Sequence, residues 1–262
     1  MEPLDAWRRL RRSPEGDVDL GLGAMLIARI EHPGLDPQAE LARLDQLAAR
    51  LPSRDVEGLR RFLFEEERFA GNREDYYDPR NSCLNDVLDR RLGIPITLSV
   101  LAMEVGRRAG LRVDGVGLPG HFMACADGIL FDPFHAGAVV SRAEAAAVVG
   151  RVLGNEVALE DSHFAPVKPV DVLIRMLANL RGVYVGREAW AKARVVVEHL
   201  MAIDPETAGH VRDYGTILMK EGNFVRGAAL WEKYLALEPD APDARRVTSQ
   251  LTEIRRAIAS LN

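Results

Sequence analysis

The sequence predicts an α+β fold that is predominantly helical, with one small antiparallel sheet. Three observations predict it. Apolar residues recur three and four apart through the first third of the chain; residues 112–134 alternate instead around an Asp-Gly pair; and the last third repeats itself at a fixed interval. A chain of 262 residues is expected to hold two units. The expected boundaries are 1–164 and 165–262.

Composition narrows the function. Hydrophobic residues make up 47% and charged residues 28%, as in an ordinary globular protein. A net charge of -5 argues against gripping nucleic acid through phosphates. The basic run around Arg8, Arg9, Arg11 and Arg12 reads as a solvated helix face. Cys83 and Cys125, the two cysteines, are too few for a disulfide framework and fit a reducing compartment. No apolar run approaches the ~20 residues that span a bilayer. The chain is expected to be cytoplasmic, with neither nucleic acid nor membrane as partner.

The elements follow in order. Residues 18–31 and 38–51 carry helical spacing, with His32-Pro33-Gly34 as the break between them. Residues 54–70 continue the pattern. Asn81 or Ser82 can cap a helix over 83–92, which Gly93 ends. Pro95 suits the first turn of the next helix, where its missing N–H has no helical partner, and the apolar run to Gly110 reads as buried.

Asp127-Gly128 is a strong signal for a two-residue hairpin turn. With those two residues as the loop, Ala126 pairs with Ile129, and opposed positions sum to 255. His121 and Asp132 then share one face as diagonal neighbours, ~7 Å apart at the backbone, the spacing of an imidazole held by a carboxylate. Cys125 lies ~13 Å along the strand from His121, too far for direct deprotonation, and reads as a small buried hydrophobe.

The C-terminal part is periodic. Pro205 and Pro239 are 34 residues apart, and the same offset relates Trp190 to Phe224, Ala193 to Gly227 and Val197 to Trp231. Thirty-four is the tetratricopeptide (TPR) period. Arg181 stands where the second repeat has Gly215, and Glu188 where it has Gly222; both are positions where glycine is common but dispensable. Val247, Leu251, Ile254, Ile258 and Leu261 then form the apolar stripe of a capping helix.

The run Gly71-Asn72, Tyr76-Tyr77-Asp78-Pro79-Arg80-Asn81-Ser82, Val87-Leu88, Gly93-Ile94-Pro95-Ile96, Pro119-Gly120-His121-Phe122 and Asp132-Pro133-Phe134 resembles the bacterial SirB-type family. Those proteins are transglutaminase-like, with TPR repeats following, and the resemblance covers nearly the whole chain. The wider superfamily implies a papain-like core with a Cys-His-Asp triad. Its cysteine starts a buried helix, two residues after a glycine, where the helix N-terminus lowers the thiol pKa and the imidazole takes the proton. The matching histidine and aspartate are His121 and Asp132. The matching nucleophile position is Pro95, which has neither thiol nor hydroxyl, so the core is degenerate.

Other candidate nucleophiles are limited by their chemistry. Thr97 and Ser99 lie one turn further on, where mid-helix hydroxyls usually bond back to a carbonyl. Cys83 begins the preceding helix and shares its dipole, although a packed thiol is the plainer reading. Asn81, Pro95, Thr97 and Ser99 are the expected cleft or ligand-binding positions. His121, Asp132 and His135 have metal-ligand chemistry, but the resemblance implies no metal and the set has no recognised ligand spacing, so neither metal nor cofactor is expected. The favoured expectation is a non-catalytic, regulatory protein that binds a protein or peptide partner through its TPR surface or its cleft. The rival is a hydrolase or acyltransferase on amide, isopeptide or ester bonds, using His121 and Asp132 with Cys83 or an activated water.

Overall fold

Aspartate side chains start the helices that apolar spacing places in the N-terminal third. A computed structural model describes residues 3–14 and 18–259 of the chain. Helix α1 is Pro3–Arg12, α2 Leu20–Ala28, α3 Pro37–Ala49 and α4 Val56–Arg61. The Asp19 carboxylate accepts the Leu22 N–H at 2.8 Å, Asp36 that of Gln38 at 3.0 Å and Asp55 that of Gly58 at 2.7 Å. Each satisfies a backbone donor that a helix start leaves without a partner.

The helical pattern over 54–70 ends earlier than its spacing suggests. A π-helical turn, Phe62–Glu66, closes α4, and Arg68 takes a left-handed φ of 60°. Strand β1, Ala70–Gly71, then runs parallel to β2, Leu92–Gly93. Gly93 is thus a strand residue and not a helix end. Helix α5 is Leu84–Arg90, and it stops because Arg91 turns left-handed at φ 60°. Neither Asn81 nor Ser82 caps it. Both lie in a 3-10 turn, Pro79–Ser82, which Asp78 starts by accepting the Arg80 N–H, and Cys83 occupies the cap position without a side-chain cap bond.

Helix α6, Pro95–Arg108, begins with proline as predicted and is buried from Pro95 through Gly106. Leu98, Val100, Leu101 and Val105 are fully enclosed, each removal from water stabilising by about 1.5–3 kcal/mol. Glu104 is buried on this helix but is met by Arg107 and Arg108, so its charge is compensated.

Strands β3 (Asp114–Val116), β4 (Met123–Ala126), β5 (Ile129–Asp132) and β6 (Ala138–Val139) form an antiparallel sheet in that order. The β4–β5 pairs are Ala124 with Phe131, Cys125 with Leu130 and Ala126 with Ile129, the register that the Asp-Gly turn predicts. Both turn residues have positive φ, 49° at Asp127 and 77° at Gly128, the backbone of a type I′ hairpin. Helix α6 packs against β3, β4 and the turn after β5. Helix α7, Arg142–Leu153, brings Ala145, Val148 and Val149 onto Val116, Met123 and Leu130.

The elements from α2 to α7, with the start of α8 (Pro169–Gly186), make one compact unit, Ser13–Met176. A second unit joins the N-terminal helix to the chain from Leu177 onward. In it the repeats form helices α9 (Trp190–Ile203), α10 (Ala208–Lys220) and α11 (Phe224–Leu237), closed by α12 (Ala244–Ala259). Trp7 of α1 is fully buried, its ring edge-on to His199 of α9 at 5.8 Å. In α12, Val247 and Leu251 are buried and Ile254 partly so, whereas Leu261 lies outside the described residues. Among the described residues, no helix is long and apolar enough to cross a membrane.

Candidate functional site

Asp132 is the centre of the site. It ends β5 and starts the 3-10 turn Pro133–His135, so one carboxylate oxygen, Oδ1, accepts the N–H groups of Phe134 at 3.0 Å and His135 at 3.3 Å. The other oxygen, Oδ2, lies 2.8 Å from His121 Nε2 and 2.8 Å from His135 Nδ1. All four acceptor positions of the carboxylate are therefore engaged. Burial pushes the Asp132 carboxyl up, but the bond and charge of His121, then those of His135, outweigh it and hold it below the usual range. An ionised carboxylate only accepts, so both facing ring nitrogens carry protons. His121 Nδ1 and His135 Nε2 are the nitrogens left over.

The local chain explains how His121 reaches this position. Gly120 takes φ +69°, and a Cβ there would sit 2.9 Å from Val152, so a glycine is needed to turn the chain into β4. One ring nitrogen of each histidine and an Asp132 carboxylate oxygen also lie within 4.8 Å of one another, a donor set suited to a cation. A metal ion would have to displace both imidazole N–H bonds from Oδ2.

The remaining predicted residues are placed as follows. Pro95 is the first residue of α6 and is buried. The Thr97 hydroxyl donates to the Asn81 carbonyl at 2.7 Å and accepts the Ile94 N–H at 3.1 Å. The Ser99 hydroxyl donates to the Pro95 carbonyl at 2.9 Å, the back-bond its mid-helix position predicts. Cys83 is fully buried, its Sγ 3.6 Å from the Pro79 carbonyl. Cys125 is half-buried on β4, where burial, then the Asp114 charge, push its thiol up, the opposite of activation.

Asn81 is a brace. Its Nδ2 donates to the carbonyls of Asp75 at 2.7 Å and Tyr76 at 3.1 Å, and its Oδ1 accepts from Asn72 at 3.0 Å and Arg90 at 3.3 Å. It thereby fixes the loop that carries Tyr76. The Tyr76 ring packs edge-on to Phe134 at 5.9 Å, and Phe134 packs edge-on to His121 at 6.3 Å.

Sequence reasoning missed Arg175. It lies on α8, and its Nη2 donates to the carbonyls of Leu118 at 2.8 Å and His121 at 2.6 Å. Its guanidinium stacks over Phe122 at 5.2 Å. Burial pulls the Arg175 pKa down, with the Tyr76 phenol opposing. A lone cation inside the apolar stretch Val172–Leu177 was the available signal.

Two family models match the chain: the transglutaminase-like superfamily over residues 35–178, and the tetratricopeptide repeat over residues 180–252. The chain is 33% identical to a UPF0162 protein of Xylella fastidiosa, over 96% of this chain and 95% of that protein. It is 26% identical to a UPF0162 protein of Vibrio cholerae, over 87% of this chain and 84% of that one. A shorter match, 37% identical over 28% of this chain and 12% of its counterpart, is to human F-box only protein 21. No solved structure matches the chain.

Proposed function

The chain belongs to the transglutaminase-like superfamily and to the UPF0162 family, and from that membership we propose that it is a non-catalytic protein-binding protein with a regulatory role. In this reading the His121–Asp132 cleft holds part of a partner and the TPR surface holds another part. One observation carries the reading: the residue two positions after Gly93 is Pro95, and every nearby substitute is otherwise engaged. The Thr97 and Ser99 hydroxyls donate to carbonyls, and Cys83 is sealed in the core. TPR repeats generally mediate protein interactions, which supports the second half of the reading.

The rival reading is a hydrolase or acyltransferase on amide, isopeptide or ester bonds. It is favoured by the intact His121–Asp132 bond, which leaves His121 Nδ1 without a hydrogen bond among the described residues. An activated water or Cys83 would then serve as nucleophile.

Iodoacetamide alkylation of the native chain between pH 5 and 9, with and without His121→Ala, separates the two. The binding reading expects Cys83 to stay unmodified until the chain unfolds. Fast, His121-dependent alkylation at low pH would overturn it in favour of the enzyme. A photoreactive amino acid in place of the exposed Tyr77, and another in place of the exposed Val225 on α11, should each cross-link a protein in cells.

A further inference from the structure

The ligand chemistry of the cleft is legible in Arg175. Both Nη2 hydrogens are used by neutral carbonyls, those of Leu118 and His121, and no carboxylate lies within ion-pair distance among the described residues. Nε and Nη1 have no acceptor among them either. Three other arginines withdrawn from water are compensated: Arg90 meets Asp78 at 3.1 Å, Arg108 meets Glu104, and Arg181 meets Asp213. A half-buried guanidinium stays charged and is costly unless an anion faces it.

A second observation points to the same place. The Tyr76 ring belongs to the aromatic line that runs through Phe134 to His121, the residue whose carbonyl Arg175 holds. That phenol makes no hydrogen bond among the described residues, and Tyr76 is 39% exposed. A charged donor that holds the His121 carbonyl and a neutral donor one ring removed from the His121 imidazole are therefore both without an acceptor among the described residues.

We infer that Arg175 and Tyr76 form a recognition subsite for one carboxylate of the bound partner, either a chain terminus or an acidic side chain. The inference deepens the binding reading above and rests on it. One guanidinium matches one negative charge, whereas a phosphomonoester carries about −1.5 to −2 and calls for further cations. Arg175 also holds the His121 carbonyl directly, so an anion on its outer nitrogens is placed next to the His121 segment.

The test uses the full chain labelled with ¹⁵N, reading the Arg175 Nε–Hε resonance, which is assigned by its loss in Arg175→Gln. The probes are N-acetyl-dialanine with a free carboxylate, the same peptide with an amidated end, and inorganic phosphate. The free acid should shift the resonance saturably, the amide should bind about tenfold or more weakly, and phosphate should act less than the acid at equal concentration. Arg175→Gln also removes the two loop bonds, so Tyr76→Phe serves as the gentler variant, expected to weaken the acid several-fold while the Arg175 resonance persists. Equal binding of acid and amide would overturn the subsite and leave the cleft reading intact. A stronger response to phosphate than to the acid would overturn the carboxylate assignment. No response to any probe would overturn the subsite, and the cross-linking experiment then decides the cleft by itself.

Discussion

Asp132 Oδ2 is shared by two imidazoles, 2.8 Å from His121 Nε2 and 2.8 Å from His135 Nδ1. The buried His121 and the half-exposed His135 are thus oriented by one carboxylate. Asp132→Asn removes the charge that both N–H groups face, and an amide oxygen replaces it poorly. Hydrogen bonds to charged groups contribute roughly 1.5–3 kcal/mol. Urea unfolding at neutral pH should show a loss in that range, and a loss under about 0.5 kcal/mol would mean that the array is not a structural tie.

The same variant gives the pH dependence. The Asp132 carboxyl is held below its ordinary range when folded, while in the unfolded chain it titrates near the ordinary aspartate value of ~3.9. The unfolded chain therefore binds more protons between those two values. Asp132's contribution is fully present above about pH 4 and is lost as the pH falls through the lower, folded value. The stability gap between wild type and Asp132→Asn should close on acidification below about pH 4; a gap that widens there contradicts the assignment.

Pro95→Cys tests whether the cleft lacks only its nucleophile. Position 95 is the first residue of a 14-residue helix, where aligned N–H groups favour a thiolate and bring thiol pKa values to roughly 3.5–7.5. The new thiol should react with iodoacetamide at pH 6 about tenfold or more faster than Cys83 does, given a reference thiol pKa of ~8.5. His121→Ala in the same background should slow it. A thiol at position 95 that is as inert as Cys83 would show that the cleft around it has closed.

The hairpin register was legible because Asp127-Gly128 leaves one way to turn, and the His121–Asp132 bond follows from that register. Helix boundaries near Asn81 were less so. Several polar residues compete there, and Asp78 takes the capping role for a 3-10 turn that helical periodicity does not announce. The paired strands at Ala70–Gly71 and Leu92–Gly93 are two residues each, too short to alternate. Arg175 was invisible for a different reason. Its acceptors are backbone carbonyls 54 and 57 residues away, and a carbonyl carries no side-chain signature.

The second repeat needs its glycine at position 215. A Cβ there would lie 2.7 Å from Trp231 Cδ1 and 2.9 Å from the Gly227 carbonyl oxygen, and backbone cannot yield as a flexible side chain can. Gly215 is therefore not dispensable, although the first repeat has Arg181 at the matching place. Helix propensity favours alanine by roughly 0.5–1 kcal/mol, but overpacking costs about 1–3 kcal/mol, so Gly215→Ala should destabilise. Gly182→Ala in α8, where a Cβ meets nothing within 4 Å, should stabilise instead. Thermal unfolding of the full chain reads both, and shifts of the same sign would defeat the argument.

Glu188 and Gly222 hold the same place in successive repeats, and both are left-handed, at φ 54° and 84°. Each closes its helix in the same way, Glu188 N–H donating to the Val185 carbonyl at 3.1 Å and Gly222 N–H to that of Met219 at 3.0 Å. The first repeat thus keeps the backbone of the turn while using a residue with a Cβ, which costs about 1–2 kcal/mol in this region. Glycine would remove that strain but adds about 0.4–1 kcal/mol of unfolded-state entropy to be lost on folding. The strain is the larger quantity, and the Glu188 side chain is exposed, so little packing is given up. Glu188→Gly should therefore stabilise the chain by roughly 0.5–1 kcal/mol, whereas Gly222→Ala should destabilise it by about 1 kcal/mol, since alanine must adopt the same φ. If Glu188→Gly instead lowers the unfolding midpoint in urea, the cost of unfolded-state entropy exceeds the strain relieved at this turn.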